Sequence, residues 1–344
     1  MFYFNFSDPT LAMFKKLSKV LIAVFLLLVI IYLLGPRVKF DAIKEPSDSH
    51  WLTEPIGDLD SLIAAQEATV VDLKPDNQAR IIWNDTVGVR TGISVVYLHG
   101  FSASQEEGDP IHEDVAKRYG ANLYLARLDD HGRSDSMSFV NSTPQKMIDS
   151  ANEAIDIGTR LGDTLIVISC STGGTLSAYL ASIRDDIDAL VMYSPNIDLY
   201  DSKSELLLNP WGKQIAELVF GGIYNTIKYD DNAIKYWNDA YHINGAFMVR
   251  DLLDKTMTNQ VFSKIKIPVF LGYYYKDEER SDHVVSVPDM VDFFNAISTP
   301  SQLKRKVAYP DAERHVISSW IFSKSIDKVK NDTYEFLDFL RKKN

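Results

Sequence analysis

The sequence predicts an α/β protein with a mostly parallel central sheet, helices on both faces, and an inserted helical cap. Two patterns predict it. Continuous apolar runs, ISVVYLHG at 93–100, LIVIS at 165–169, ALVMYSP at 189–195 and IPVFLGYYY at 267–275, alternate with helical periodicity at 111–118, 144–161 and 287–297. Strands read this way when both faces of their sheet are covered. The alternation then stops between 196 and 261, a stretch holding Trp211, Phe220, Tyr224, Tyr229, Tyr236, Trp237, Tyr241 and Phe247, and resumes after it. A pattern that halts and resumes marks an insertion, here read as a cap at 196–261.

The elements follow in chain order. Val20 to Leu34 is an unbroken apolar run, extended by Leu17, Ser18 and Gly35 and stopped by Pro36 and Arg37. It is short for a span and long for a signal-peptide core, and no small-residue cleavage site follows, so residues 17–35 are expected to remain as a transmembrane anchor. Lys15, Lys16 and Lys19 at its start favour a cytoplasmic N-terminal tail at 1–16 and the rest of the chain on the extracytoplasmic side. MFKKLSK forms a compact basic lead, so Met13 is expected to be the start of synthesis. Residues 36–60 carry Pro36, Pro46 and Pro55 without periodicity and read as a tether. The core is expected over 61–195 and 262–344. Its strand candidates are 68–73, 79–83, 93–100, 121–128, 165–169, 189–195, 267–275 and 303–309, and a terminal helix is expected over 325–341.

Composition narrows the functions. With 344 residues, of which 46% are hydrophobic, the chain can bury one large core with an insertion. A net charge of -11 repels phosphate backbones and argues against a nucleic-acid partner. The single cysteine, Cys170, excludes an internal disulfide and any multi-cysteine metal site. His112-Glu113 lacks the second histidine of H-E-x-x-H, so neither a metal nor another cofactor is expected.

The chemistry centres on SCSTGG at 169–174, which follows an apolar strand and precedes the helix-competent LSAYLAS. Small neighbours let strand and helix approach closely, so Ser171 is expected at the tip of a strand-to-helix turn. Centring the turn on Cys170 would place the branched Ile168 at a small-residue position, so Cys170 reads as buried filler. A serine hydroxyl needs a histidine base oriented by a carboxylate. His315 follows the last strand candidate and is the expected base, while Asp277 and Asp282, both after 267–275, could each orient it. The backbone N–H groups of Thr172 and of Phe101, the latter in the run HGF, are the expected oxyanion donors, which makes His99 a structural residue.

HGFSAS at 99–104, LDDHGRSD at 128–135, SCSTGG at 169–174, SPN at 194–196, DHVVSV at 282–287 and the His315 loop occur in this order. As a set over about 65–344 they resemble the serine-hydrolase branch of the α/β-hydrolase superfamily, closest to monoglyceride-lipase, lysophospholipase and serine-aminopeptidase-like carboxylesterases. One position departs from the pattern: Ser169 stands where G-x-S-x-G has its first glycine. The resemblance implies an α/β-hydrolase fold and hydrolysis of an ester, thioester or amide through an acyl-enzyme; the aromatic residues of the cap argue for an apolar acyl or aryl group, so a small-molecule ester of that kind is the expected substrate. The acid turn of that superfamily reads Asp-x-Val-Val, which favours Asp282 over Asp277. Peptidase or acyltransferase chemistry on the same triad, or a catalytically silent binding protein, are the alternatives.

Overall fold

The computed structural model describes residues 9–342. The expected start at Met13 concerns the first twelve residues, of which 1–8 lie outside the described ones. Helix α1 (Pro9–Leu33) is long and apolar enough to cross a membrane, and none of its stretch Met13–Leu33 is buried against the rest of the protein. The chain beyond it is irregular but docked. The Lys44 N–H donates to Gln145 Oε1 and the Ser49 N–H to Asp156 Oδ2, both at 2.8 Å, and Lys255 Nζ donates to the Asp41 carbonyl at 2.8 Å. Phe40 and Ile43 pack against the main core. Side chains of the body thus satisfy a segment that cannot satisfy itself.

Residues 68–73, expected as a strand, are not one. Helix α2 (Leu59–Glu67) precedes them, and its C-terminal turn takes the N–H groups of Ala68, Thr69 and Val70 onto the carbonyls of Ala64, Gln66 and Glu67. Those donors are therefore lost to any sheet, and Asp72 at φ 57° ends the extended run. Glu67 is itself buried and accepts from Arg127 Nε at 2.6 Å and from the Ala79 N–H at 3.0 Å. That pair pins α2 to the chain entering and leaving the sheet.

The sheet opens with β1 (Arg80–Ile82), β2 (Thr91–Leu98), β3 (Asn122–Leu125), β4 (Gly162–Cys170) and β5 (Ala189–Tyr193). Helices α3 (Ile111–Tyr119), α4 (Pro144–Leu161) and α5 (Thr172–Ala181) connect them. α4 starts where Thr143 caps it, its hydroxyl accepting from the Lys146 N–H, with Pro144 in the first turn. Between β5 and the next sheet strand lie α6 (Gly212–Phe220), the antiparallel ribbon β6 (Tyr224–Thr226) and β7 (Ala240–His242), then α7 (Asn244–Thr256) and α8 (Asn259–Phe262). The inserted stretch is thus mostly helical, with one short two-stranded ribbon that the sequence pattern did not single out. β8 (Val269–Tyr273), α9 (Val287–Ala296), β9 (Lys304–Ala308) and α10 (Ile326–Arg341) complete the chain.

Sheet order is β1-β3-β2-β4-β5-β8-β9, with β1 antiparallel and every other pairing parallel. Alternation along each strand sorts side chains to two faces. Val95 and Tyr97 of β2, Ile166 and Ile168 of β4 and Phe270 of β8 join one core with residues of α3 and α10. Val96, Leu98, Val167 and Leu271 join the other, with α4, α5 and α9. Covering both faces leaves the carboxyl ends of the parallel strands as the place where loops converge, and open α/β sheets use that edge for ligands.

Candidate active site

Ser171 connects β4 to α5 at φ 50° and ψ -120°, a conformation that costs about 1–3 kcal/mol and persists only when its surroundings enforce it. They do so here through backbone. The Ser171 N–H donates to the Tyr193 carbonyl at 3.1 Å, and its own carbonyl accepts from the N–H groups of Gly174 at 2.8 Å and Asn196 at 2.9 Å. A Cβ on Gly173 would lie 2.0 Å from the Leu98 carbonyl oxygen, and one on Gly174 would lie 2.5 Å from Pro195 Cβ. Only glycine permits that approach of helix to neighbouring strands. Ser169 fits because its hydroxyl lies 3.0 Å from that of Ser177 on α5, a partner glycine would not need. Cys170 is fully buried, and burial together with the Glu107 carboxylate pushes its thiol well above the ordinary range, so it is a protonated thiol facing the core.

His315 lies in the loop after β9, and its Nδ1 is 2.6 Å from Asp282 Oδ2. Asp282, in the loop after β8, is buried, and its other oxygen accepts from the N–H groups of Val284 at 2.9 Å and Val285 at 3.2 Å. That leaves His315 Nε2 sheltered and without a hydrogen-bond partner. Burial works against the imidazolium, but the charge and hydrogen bond of Asp282, with the charge of Glu107, outweigh it and raise the His315 pKa. Asp277 lies elsewhere, on an exposed turn where its carboxylate pairs with Arg280, and no hydrogen bond joins it to His315.

Ser171 and His315 line one cavity of about 610 Å³, together with Phe101 and Thr172. Thr172 is the first residue of α5, so its N–H has no acceptor within the helix. The cavity walls are largely apolar: Leu199, Ile227, Tyr229, Trp237, Tyr241, Val249 and Phe322. Of the aromatic residues in the inserted segment, Tyr229, Trp237 and Tyr241 face this space. Phe247 is buried in a satellite core, and Trp211 sits on the end of α1.

Two groups sharpen the picture. His99 is buried and neutral, its pKa lowered to about 4 chiefly by burial. Its Nδ1 is 2.9 Å from the Gly100 carbonyl, and its Nε2 accepts the Leu128 N–H at 3.1 Å, so it shapes the loop after β2. Glu107 is a residue that sequence reasoning missed. Its carboxylate is buried, lines the cavity, and accepts the Gly100 N–H at 2.6 Å and the Tyr97 hydroxyl at 3.1 Å. Burial pushes its pKa up to about 7, against the opposing pull of the Gly100 N–H and His315. A Cβ on Gly100 would lie 2.7 Å from Glu107 Oε1 and 2.9 Å from Ser171 Cβ, so this carboxyl sits immediately behind the serine. In QEEGDP it reads as one more surface acid, and nothing in that run distinguishes it from Glu106.

Strand order, the elbow at Ser171 and the loops at the strand ends define an α/β-hydrolase-fold protein. Known proteins agree with this. No family model matches the chain. It is 29% identical over 107 residues to a thermostable monoacylglycerol lipase of Bacillus sp. (strain H-257), a match covering 31% of this chain and 42% of that relative. Among solved structures it resembles a metagenome-derived lipolytic enzyme (TM-score 0.61, 16% identity, 78% of this chain and 99% of the other). It also resembles a soluble variant of the Saccharomyces cerevisiae monoglyceride lipase (TM-score 0.57, 17% identity, 76% and 91%). The proteins it resembles are thus lipases and esterases of one fold.

Proposed function

We propose that this chain is a membrane-anchored serine hydrolase that cleaves a carboxylic ester with an apolar acyl group through an acyl-enzyme. One observation carries the reading: a histidine tied to a buried carboxylate through Nδ1, its Nε2 unpartnered, lines the same cavity as a serine held in a strained elbow. In this reading Ser171 Oγ attacks the ester carbonyl while His315 Nε2 takes its proton. The N–H groups of Phe101 and Thr172 stabilise the oxyanion, and Asp282 stabilises the imidazolium. The imidazolium then protonates the departing alkoxide. Water, deprotonated by the same nitrogen, releases the acid and restores Ser171.

The apolar cavity walls support an apolar acyl group. Residues 17–35 would be the anchor, 36–60 the tether and 196–261 the cap over a core of 61–195 and 262–344. The unburied apolar α1 supports the anchor, and Lys15, Lys16 and Lys19 support a cytoplasmic N-terminus with the cavity on the opposite side. Hydrolysis of p-nitrophenyl esters of increasing acyl length, beside aminoacyl amides, tests the reaction. Ester turnover rising with acyl length up to the depth of the cavity is expected, and amide turnover alone would replace the esterase reading with a peptidase one.

A further inference from the structure

Helix α6 is apolar on two sides. Gly212 and Ala216 face inward, where Ala216 packs with Ile243 and Phe247 and with Val38 and Phe40 from the segment that follows α1. Ile215, Leu218 and Val219, spaced three and four apart, form the other face, and they are 50%, 84% and 75% exposed. A surface helix ordinarily turns charged residues outward. Here Lys213, Gln214 and Glu217 occupy one strip of the outward surface, with Lys213 Nζ 3.8 Å from Glu217 Oε1, but beside that strip three large apolar side chains would be left in water.

The position of this face is fixed by α1. The Trp211 N–H, one residue before α6, donates to the Pro36 carbonyl at 2.8 Å, and its indole N–H donates to the Ile31 carbonyl at 3.2 Å. A Cβ on Gly35 would lie 2.1 Å from the indole nitrogen, so the ring rests directly on the chain leaving α1. Ile31 belongs to the last turns of the membrane-competent helix, which places the indole at the depth where tryptophan concentrates, at the membrane–water boundary. α6 starts from there.

We infer that the Ile215, Leu218 and Val219 face of α6 inserts into the headgroup–acyl boundary of the bilayer that α1 crosses, with Trp211 on Gly35 as the clamp that sets its depth. The inference rests on the anchored reading above. The occupant is lipid because the face is continuous with a helix suited to lipid and is held at the depth of that helix's end. From α6 the chain passes through β6 directly to Ile227 and Tyr229 of the cavity wall. The surface that would meet lipid is therefore linked along the chain, through β6, to the wall of the pocket.

Fluorescence quenching on the full chain, reconstituted in phosphatidylcholine–phosphatidylglycerol vesicles, tests this. Cys170 is buried, so an environment-sensitive thiol dye can be placed singly by Leu26→Cys in α1, Leu218→Cys in α6 and Val71→Cys on an exposed loop. The expected result is quenching by spin-labelled lipid at 26 and 218, and by aqueous iodide alone at 71. Lipid quenching at 26 with iodide quenching at 218 overturns the docking of α6 while leaving the anchor intact. Iodide quenching at 26 removes the anchor and the docking together. Adding Gly35→Val, or Trp211→Phe as a milder change that keeps an aromatic ring but removes the indole N–H, should move position 218 toward iodide while 26 stays in lipid. Unchanged lipid quenching at 218 in both variants would overturn the clamp.

Discussion

The floor of the cavity is held by backbone and charge, and its roof by aromatic rings. In the floor, Ser171 sits at a strained φ with four backbone hydrogen bonds around it, and Asp282 has both oxygens occupied. In the roof, Phe101 meets Tyr241 with ring centroids 5.2 Å apart, and Trp237 meets Phe322 at 5.0 Å. A two-stranded ribbon, marginal on its own, carries part of that roof. On the proposed function, changes of shape or charge in the floor are expected to abolish the chemistry. On the same reading, changes of volume in the roof are expected to alter which substrate fits.

The largest break in this contrast comes from Ser171→Ala, expected to lower kcat by about 10⁶-fold, the effect of removing a nucleophile that acts as part of a unit. Steady-state ester hydrolysis by purified protein measures it. Asp282→Asn should cost about 10⁴-fold, because the imidazole loses the partner that fixes its tautomer. Asp277→Asn, at an exposed turn, should leave the rate near that of the unaltered enzyme. If the two asparagine variants exchanged effects, the assignment of the acid would be reversed. In the same floor, Gly173→Ala forces a methyl against the Leu98 carbonyl, and a loss of about 1–3 kcal/mol is expected in denaturant melts.

Changes to the roof should be smaller and differently shaped. Trp237→Ala enlarges the cavity and should shift kcat/KM toward longer acyl chains by roughly 10- to 200-fold per substrate pair, the scale of discrimination by apolar pockets. The smallest effect concerns pH. In the proposed reaction His315 acts as a base only when neutral, and the charges of Asp282 and Glu107 favour its charged form. Activity should therefore fall away on the acid side at a higher pH than an unperturbed imidazole would impose. Glu107→Gln removes one of those charges and should move the acid limb of kcat/KM to lower pH, while glutamine still offers an acceptor to the Gly100 N–H. An unmoved limb would mean that Glu107 acts on the loop alone.

The floor was largely legible in the sequence because its residues sit at ends of strands with strong apolar signals. SCSTGG after 164–168, HGF after 93–98 and DHVVSV after 267–275 each fall where a parallel strand stops, and topology brings those stops together. Glu107 was not legible, since burial of a carboxylate depends on Tyr97 and Gly100 closing over it, and no pattern in QEEGDP records that. The stretch 68–73 misled because β-branched residues satisfy a strand pattern, yet its N–H groups are taken by the end of α2. β6 and β7 were hidden because three-residue strands carry too few alternations to be seen.

The central claim is that Ser171 is the nucleophile of this cavity. Treating the folded protein with a fluorophosphonate probe and mapping the adduct by peptide mass spectrometry tests it most directly. One adduct on Ser171, absent in Ser171→Ala and strongly slowed in Asp282→Asn, is the predicted result. A folded protein that takes up no probe, or carries it on another residue, would contradict the account.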